Sequence, residues 1–200
     1  FTQAKAIPGN TNIGYKGAPS GYALGTTFDY QPSNLNQNLA KAPLKILVMP
    51  YAELQFILSE LALKGIIPGS AQTFYESGVK ATLEQWGATM PANYFANPKV
   101  AYNGTLKQII EQKWIASWTA ATESWFDYRR TGLPALTAGP AAKRQALPLR
   151  FYYMQDEIRI NAKNATAAMD KLEVTNFSQA DGKNSAWSKP WLLIGTSKPY

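Results

Sequence analysis

Two residue types are missing from this chain: it has no cysteine and no histidine among its 200 residues. Without cysteine there is no disulfide, no thiolate metal site and no thiol nucleophile. Without histidine, the commonest general base and the commonest metal ligand are gone. An enzyme built on this chain would have to work with carboxylates, lysine, tyrosine or serine. Charge is sparse, at 16%, and leans basic, with twenty Lys and Arg against thirteen Asp and Glu and a formal net charge of +7. The basic residues are scattered, and the only adjacent pairs are Arg129-Arg130 and Lys143-Arg144. A protein that tracks phosphates gathers such residues into a stripe, so nucleic acid is not an expected partner. No apolar run approaches the ~20 residues needed to cross a bilayer. The N-terminus begins at Phe1 without the charged, apolar and small-residue order of a signal segment. A mature fragment, or the C-terminal part of a longer protein, is expected. The acidic residues show no calcium-loop spacing, and the early glycines do not form a phosphate loop between strand and helix. No cofactor or metal is therefore expected.

What is present is apolar and aromatic: 46% hydrophobic residues and 12% Phe, Trp and Tyr. That is enough to bury a core, and one domain over 1–200 is expected. It falls into a loop-rich segment over 1–49, a helical core over 50–131 and a loop-rich closing segment over 132–200. Gly9, Gly14, Gly17, Gly21 and Gly25 with Pro8, Pro19 and Pro32 punctuate the first segment faster than a helix can nucleate. Residues 50–64 predict a helix with Tyr51, Leu54, Ile57, Leu58 and Leu61 on its apolar face. Ser70 caps a second one over 71–86, with a stripe of Phe74, Tyr75, Val79, Leu83 and Trp86. Gly78 inside it costs about 1 kcal/mol relative to alanine, and the close approach of a neighbouring helix is the expected reason. A link this short makes the two an antiparallel hairpin.

The longest periodic run starts at Leu106. Leu106, Ile109, Ile110, Trp114, Ser117, Trp118 and Ala121 share one side of a helix, opened by a Thr105–Gln108 capping box. A break is expected at 119–122, then a short helix over 123–130 with Arg129 and Arg130 in its last turn, stopped by Gly132 and Pro134. A last helix is expected over 164–172, followed by an extended tail.

Several of these segments, in order, carry a family likeness. QKWIASWTAATESWFDYRRTGLP resembles the signature helix of the SusD/RagB family of outer-membrane nutrient-binding lipoproteins of Bacteroidetes, closest to its RagB-type branch. PYAELQFILSELALKG and AQTFYESGVKATLEQWG resemble the helical hairpin of that family. In LPLRFYYMQDEIRINAKN, Pro148, Arg150, Tyr153, Glu157 and Asn161 match its closing motif, with Met154 where a proline is expected. Of the family's Trp-Trp ending, Trp187 and Trp191 remain, further apart. The likeness runs from about Gly14 to Trp191.

The resemblance implies a mainly α fold, built of tetratricopeptide-like helical hairpins with long ordered loops, as the C-terminal part of a SusD-like protein. It implies a cell-surface lipoprotein of the outer membrane that binds oligosaccharides or peptides. The ligand would pass to a SusC-like TonB-dependent barrel, and contact with the membrane would be only through an N-terminal lipid anchor absent from this chain. Ligand contacts are expected from rings on the first loop segment, namely Tyr15, Tyr22, Phe28 and Tyr30; the competing reading makes these rings anchors to a core. No catalytic residue is assigned. Two alternatives stay open. Glu123 and Asp127, four apart on one helix, could serve a glycoside hydrolase, although nearby Lys113, Arg129 and Arg130 favour structural ion pairs. A helical-repeat adaptor for other proteins is the second alternative, and it expects the rings of residues 15–30 all to be buried.

Overall fold

The computed structural model describes residues 1–43 and 46–200, so positions 44–45 of the first loop segment lie outside the described residues, as do the side chains at 38 and 40. The chain is mainly α. It divides into two compact units, Leu47–Ala135 with Gly195–Tyr200, and Phe1–Ile46 with Leu136–Ile194.

The first unit is helical: α1 (Tyr51–Leu63), α2 (Ala71–Gln85), α3 (Leu106–Ala116) and α4 (Ala121–Thr131). The signals that open and close these helices act as expected. The Ser70 hydroxyl accepts the Thr73 N–H at 3.2 Å, and Gly132 ends α4 in the left-handed region at φ 74°. Half of the Thr105 capping box forms. Thr105 Oγ1 accepts the Gln108 N–H, but the Gln108 amide turns away, accepting from Asn103 N at 2.8 Å and donating to Ala101 O at 2.6 Å. Asn103 Oδ1 takes the Thr105 N–H instead.

Phe56, Tyr75, Val79, Val100, Ile109 and Ala116 form the core of this unit. Burying a side chain such as Phe56 contributes about 2–3 kcal/mol. Its ring meets Tyr75 edge-on at 6.1 Å, and the Tyr75 hydroxyl donates to Val100 O at 2.7 Å. Burial raises the Tyr75 phenol above its ordinary pKa. A Cβ at Gly78 would lie 3.0 Å from the Phe56 ring, so α1 packs against α2 where only a hydrogen fits.

Two helix faces differ from the apolar pattern. In α1 the buried residues are Ala52, Glu53, Gln55, Phe56, Ser59 and Glu60, whereas Tyr51 and Leu54, expected inside, are exposed. In α3 they are Gln108, Ile109, Ile110, Lys113 and Ala116, and the two tryptophans placed on the core side, Trp114 and Trp118, are 43% and 39% exposed. The cause is a chain of alternating charges. Lys113 Nζ stands 3.3 Å from Glu53 Oε1 and 2.8 Å from Asp127 Oδ2. Asp127 Oδ1 also accepts from Arg130 at 2.9 Å. Arg130 then grips both oxygens of Glu60, at 2.5 and 2.8 Å, and Glu60 takes Lys64. Each buried charge needs an opposite partner, and supplying those partners turns the polar positions inward.

The second unit has little regular structure. A two-residue ladder pairs β1 (Lys5–Ala6) with β2 (Tyr30–Gln31), antiparallel, Lys5 opposite Gln31 and Ala6 opposite Tyr30. Two short helices, α5 (Gln155–Ile160) and α6 (Ala162–Met169), follow one another. The first was not expected, and the second starts and ends earlier than its periodicity indicated. Met154, standing where the family has proline, caps α5 at φ −67° and ψ 152°, the φ that a proline ring imposes. The turn is therefore kept without the ring.

Hydrogen bonds hold this unit where a large core would otherwise be needed. Asn184 accepts the Tyr153 N–H at 2.8 Å and donates to the Tyr153 carbonyl at 2.9 Å. Arg150 donates to Ser185 O at 2.8 Å. The indole N–H of Trp187 donates to Ala146 O at 2.8 Å, with the Arg144 guanidinium 4.2 Å over its ring. Arg144 also binds both oxygens of Asp181 and holds that carboxyl below the usual carboxylate range. Among these partners are Arg150 and Tyr153 of the closing motif.

Candidate functional site

The first loop segment is fixed at several points along its length. Ala4 N–H donates to Gly14 O at 2.7 Å, and Ile7 N–H to Asp29 O at 2.7 Å. Residues 16 and 33 exchange two bonds: Lys16 N–H donates to Ser33 Oγ at 3.0 Å, and Ser33 N–H to Lys16 O at 2.8 Å. Further along, Gly21 lies against Gly139, so close that a Cβ on either would run into the backbone of the other. Gly21 also has φ +74°, where glycine alone sits without strain. Its carbonyl accepts the Ala141 N–H at 2.8 Å. A polar, glycine-rich loop thus becomes an ordered support.

On that support three of the four expected rings come together. Tyr22 meets Phe28 edge-on at 5.2 Å, and Phe28 meets Tyr30 at 5.9 Å. They form a graded series: Tyr22 is 47% exposed, Phe28 is half-buried and Tyr30 is 8% exposed. Edge-to-face pairs of this kind add about 0.5–1.5 kcal/mol each beyond the area they bury. The Tyr30 hydroxyl donates to Gly17 O at 3.0 Å, which makes Tyr30 the base of the stack, with no open face for a ligand. Tyr15 stands outside the series, 74% exposed.

Sequence reasoning missed one member of the group, Lys16. Its ammonium lies 3.8 Å from the centroid of the Tyr30 ring, a favourable meeting of a cation and a negative ring face. The only signal in the sequence is its place between Tyr15 and Gly17, which says nothing about a ring fourteen residues on.

Of the carboxylates considered for catalysis, Asp127 is bound to cations, and Glu123 has no ion-pair partner among the described residues. Asp127 is buried, each of its oxygens held by a different cation, Lys113 and Arg130. Glu123 is half-buried in the first turn of α4. With both oxygens taken up by cations, Asp127 has none left open to a substrate. In the helical unit, Pro91, Asn93, Tyr94, Ala96 and Asn97 line a shallow depression of about 370 Å³. The Asn97 side chain there is committed to the Lys99 N–H, and none of the expected ring residues takes part. Among the described residues, no group of acidic side chains is placed to hold a metal.

A SusD-like family model, described as starch-binding associating with outer membrane, matches residues 1–154. Among solved structures, the chain is similar to a SusD-like protein of the Bacteroidetes, at 26% identity and a TM-score of 0.60, over 72% of this chain and 29% of that one. An outer membrane protein of Bacteroides vulgatus ascribed to nutrient binding is 30% identical, with a TM-score of 0.58, over 72% of this chain and 34% of that one. A chitin-binding protein is 32% identical, with a TM-score of 0.55, over 70% of this chain and 32% of that one. The chain thus spans about a third of the length of each. No curated protein matches it.

Proposed function

We propose a function from one premise: the chain belongs to the SusD-like family. It binds an oligosaccharide at the outer membrane, with Tyr15, Tyr22 and Phe28 supplying the ring surfaces on which sugar faces lie and Tyr30 holding that surface in place. One observation carries this reading. Tyr22 presents its ring to solvent while its edge is fixed on Phe28, within the segment that the family model matches. Preordered rings cost little entropy on binding, and hydrogen bonds from neighbouring polar groups give orientation. The association of the family with starch, and of one relative with chitin, supports a glycan over a peptide as the ligand.

The reading extends to the whole protein. It is a cell-surface lipoprotein, held at the outer membrane by a lipid anchor. It seats over a SusC-like TonB-dependent barrel and passes the bound glycan to it. No covalent chemistry is involved. The hydrolase alternative would need Asp127 free of its two cations. The adaptor alternative expects every ring of residues 15–30 to be buried, against 74% exposure at Tyr15 and 47% at Tyr22.

The test is titration calorimetry with soluble oligosaccharides, alongside an assay for new reducing ends. Saturable binding without new ends is expected, and Tyr22→Ala lowers the affinity about tenfold, a loss of about 1.4 kcal/mol. New reducing ends that vanish with Glu123→Gln would replace this reading with the enzyme.

A further inference from the structure

The two units differ in charge. The loop-rich unit holds twelve Lys and Arg against six Asp and Glu, and the helical unit eight against seven. Nearly the whole excess of +7 therefore belongs to the unit that carries the ring cluster. Its acids are largely occupied by their own neighbours: Asp156 with Arg159, Asp170 with Lys183, Glu173 with Lys189 and Asp181 with Arg144. Glu157 takes the side chain of Asn161 at 2.7 Å. Over residues 1–46 there are four lysines and one acid, Asp29, and Asp29 makes no ion pair among the described residues.

Lys16 is the lysine at the rings. Its backbone N–H and carbonyl are both bonded to Ser33, and its ammonium rests over the Tyr30 ring, so the ammonium is positioned before any ligand arrives. No carboxylate among the described residues lies within ion-pair distance of it. From Tyr22 to the ammonium the path runs through two ring contacts of 5.2 and 5.9 Å and then 3.8 Å, a stretch that a short oligosaccharide spans. A ring face alone recognises any sugar, whereas a fixed and unneutralised ammonium beside it discriminates by charge.

We infer that the ligand is an anionic oligosaccharide, bearing uronate carboxylates or sulfate esters, and that Lys16 is the residue that selects it. This rests on the glycan-binding reading above and names its substrate class. The surplus lysines of the same unit add a weaker, long-range attraction that salt screens; Lys16 supplies the contact.

The experiment compares three sugars of equal length by calorimetry on the intact chain: hexagalacturonate, a sulfated hexasaccharide and neutral maltohexaose, with a single-stranded oligonucleotide as a fourth probe. At least one anionic sugar is expected to bind about tenfold or more tighter than maltohexaose in low salt, with the margin shrinking as salt is raised. Lys16→Gln removes most of that margin by weakening the anionic sugar. Lys163→Gln, which deletes the same charge from an exposed position on α6, retains the margin. Equal affinity for neutral and anionic sugars overturns this inference while leaving the glycan reading intact. Failure of all three sugars overturns both. Equal loss in the two lysine variants, or an oligonucleotide that binds as well as the best sugar, reduces the effect to general polyanion attraction and overturns the role of Lys16.

Discussion

The helical unit and the loop-rich unit solve the problem of staying folded by different means. In the helical unit an apolar core around Phe56 and Tyr75 is joined by a chain of paired charges, four of them buried. Almost every charge drawn inside meets its opposite. In the loop-rich unit the large buried side chains are few, and Asn184, Arg150 and Trp187 hold distant segments through side-chain to backbone bonds, with Arg144 bound to the Asp181 carboxylate. The second arrangement leaves rings and lysines free to face outward. Rigid packing in one region thus goes with exposed rings and charges in the other, a division of the kind that separates scaffolds from surface loops.

The comparison breaks most readily at Lys113. Replacing it with methionine leaves the Glu53 and Asp127 carboxylates facing a buried apolar group, and a loss of about 3–5 kcal/mol is expected. Urea denaturation reads it as a lower midpoint with an unchanged slope.

Acid should act on the same network. Burial opposes the charge on Glu60, but hydrogen bonds from Arg130 and Lys64 outweigh that and hold its carboxyl at about 2, down from 4.5. A depressed carboxylate stabilises the fold above its unfolded value, and the contribution is lost as pH falls from about 4.5 toward about 2. Because Arg130 is half exposed, the loss is about 1–3 kcal/mol. Denaturation midpoints across that range should fall less steeply in Glu60→Gln, and parallel curves for the two proteins would remove Glu60 from the account.

Gly78→Ala sharpens the packing half of the comparison. The added methyl meets the enclosed Phe56 ring, and crowding there outweighs the gain in helix propensity. A net cost of about 1–2 kcal/mol is expected in thermal or urea melts. Smallest of all should be Tyr15→Ala. At an exposed position it should change stability by no more than about 0.5 kcal/mol, while weakening glycan binding in the calorimeter. A large stability loss there would mean the outer ring is part of the scaffold after all.

What could be read from the sequence follows from how local each signal is. Ser70, Thr105 and Gly132 act within four residues of themselves, and the helices they bound were legible. The faces of α1 and α3 were not. The apolar stripe is there, but Glu53, Glu60 and Lys113 go inside because each finds an opposite charge on another helix, which no spacing on one helix reveals. The six-residue α5 is too short to display a period. In the first loop segment, the interleaving of Tyr15, Tyr22, Phe28 and Tyr30 with glycines singles out the rings but not their grouping, from which Tyr15 is absent. That Tyr30 lies at its base, and that Lys16 joins it, depends on contacts with Gly17 and Ser33 made only when the loop closes on itself.

The chain of buried charges has a consequence for alignment. Helices that touch only through greasy side chains can slip by a turn and still find grease. Here a one-turn slip of α3 along α1 would carry Lys113 away from both of its carboxylates, stranding Lys113 and Glu53 and leaving Asp127 with Arg130 alone. The ladder of opposite signs therefore acts like the wards of a lock, admitting a single setting of the helices.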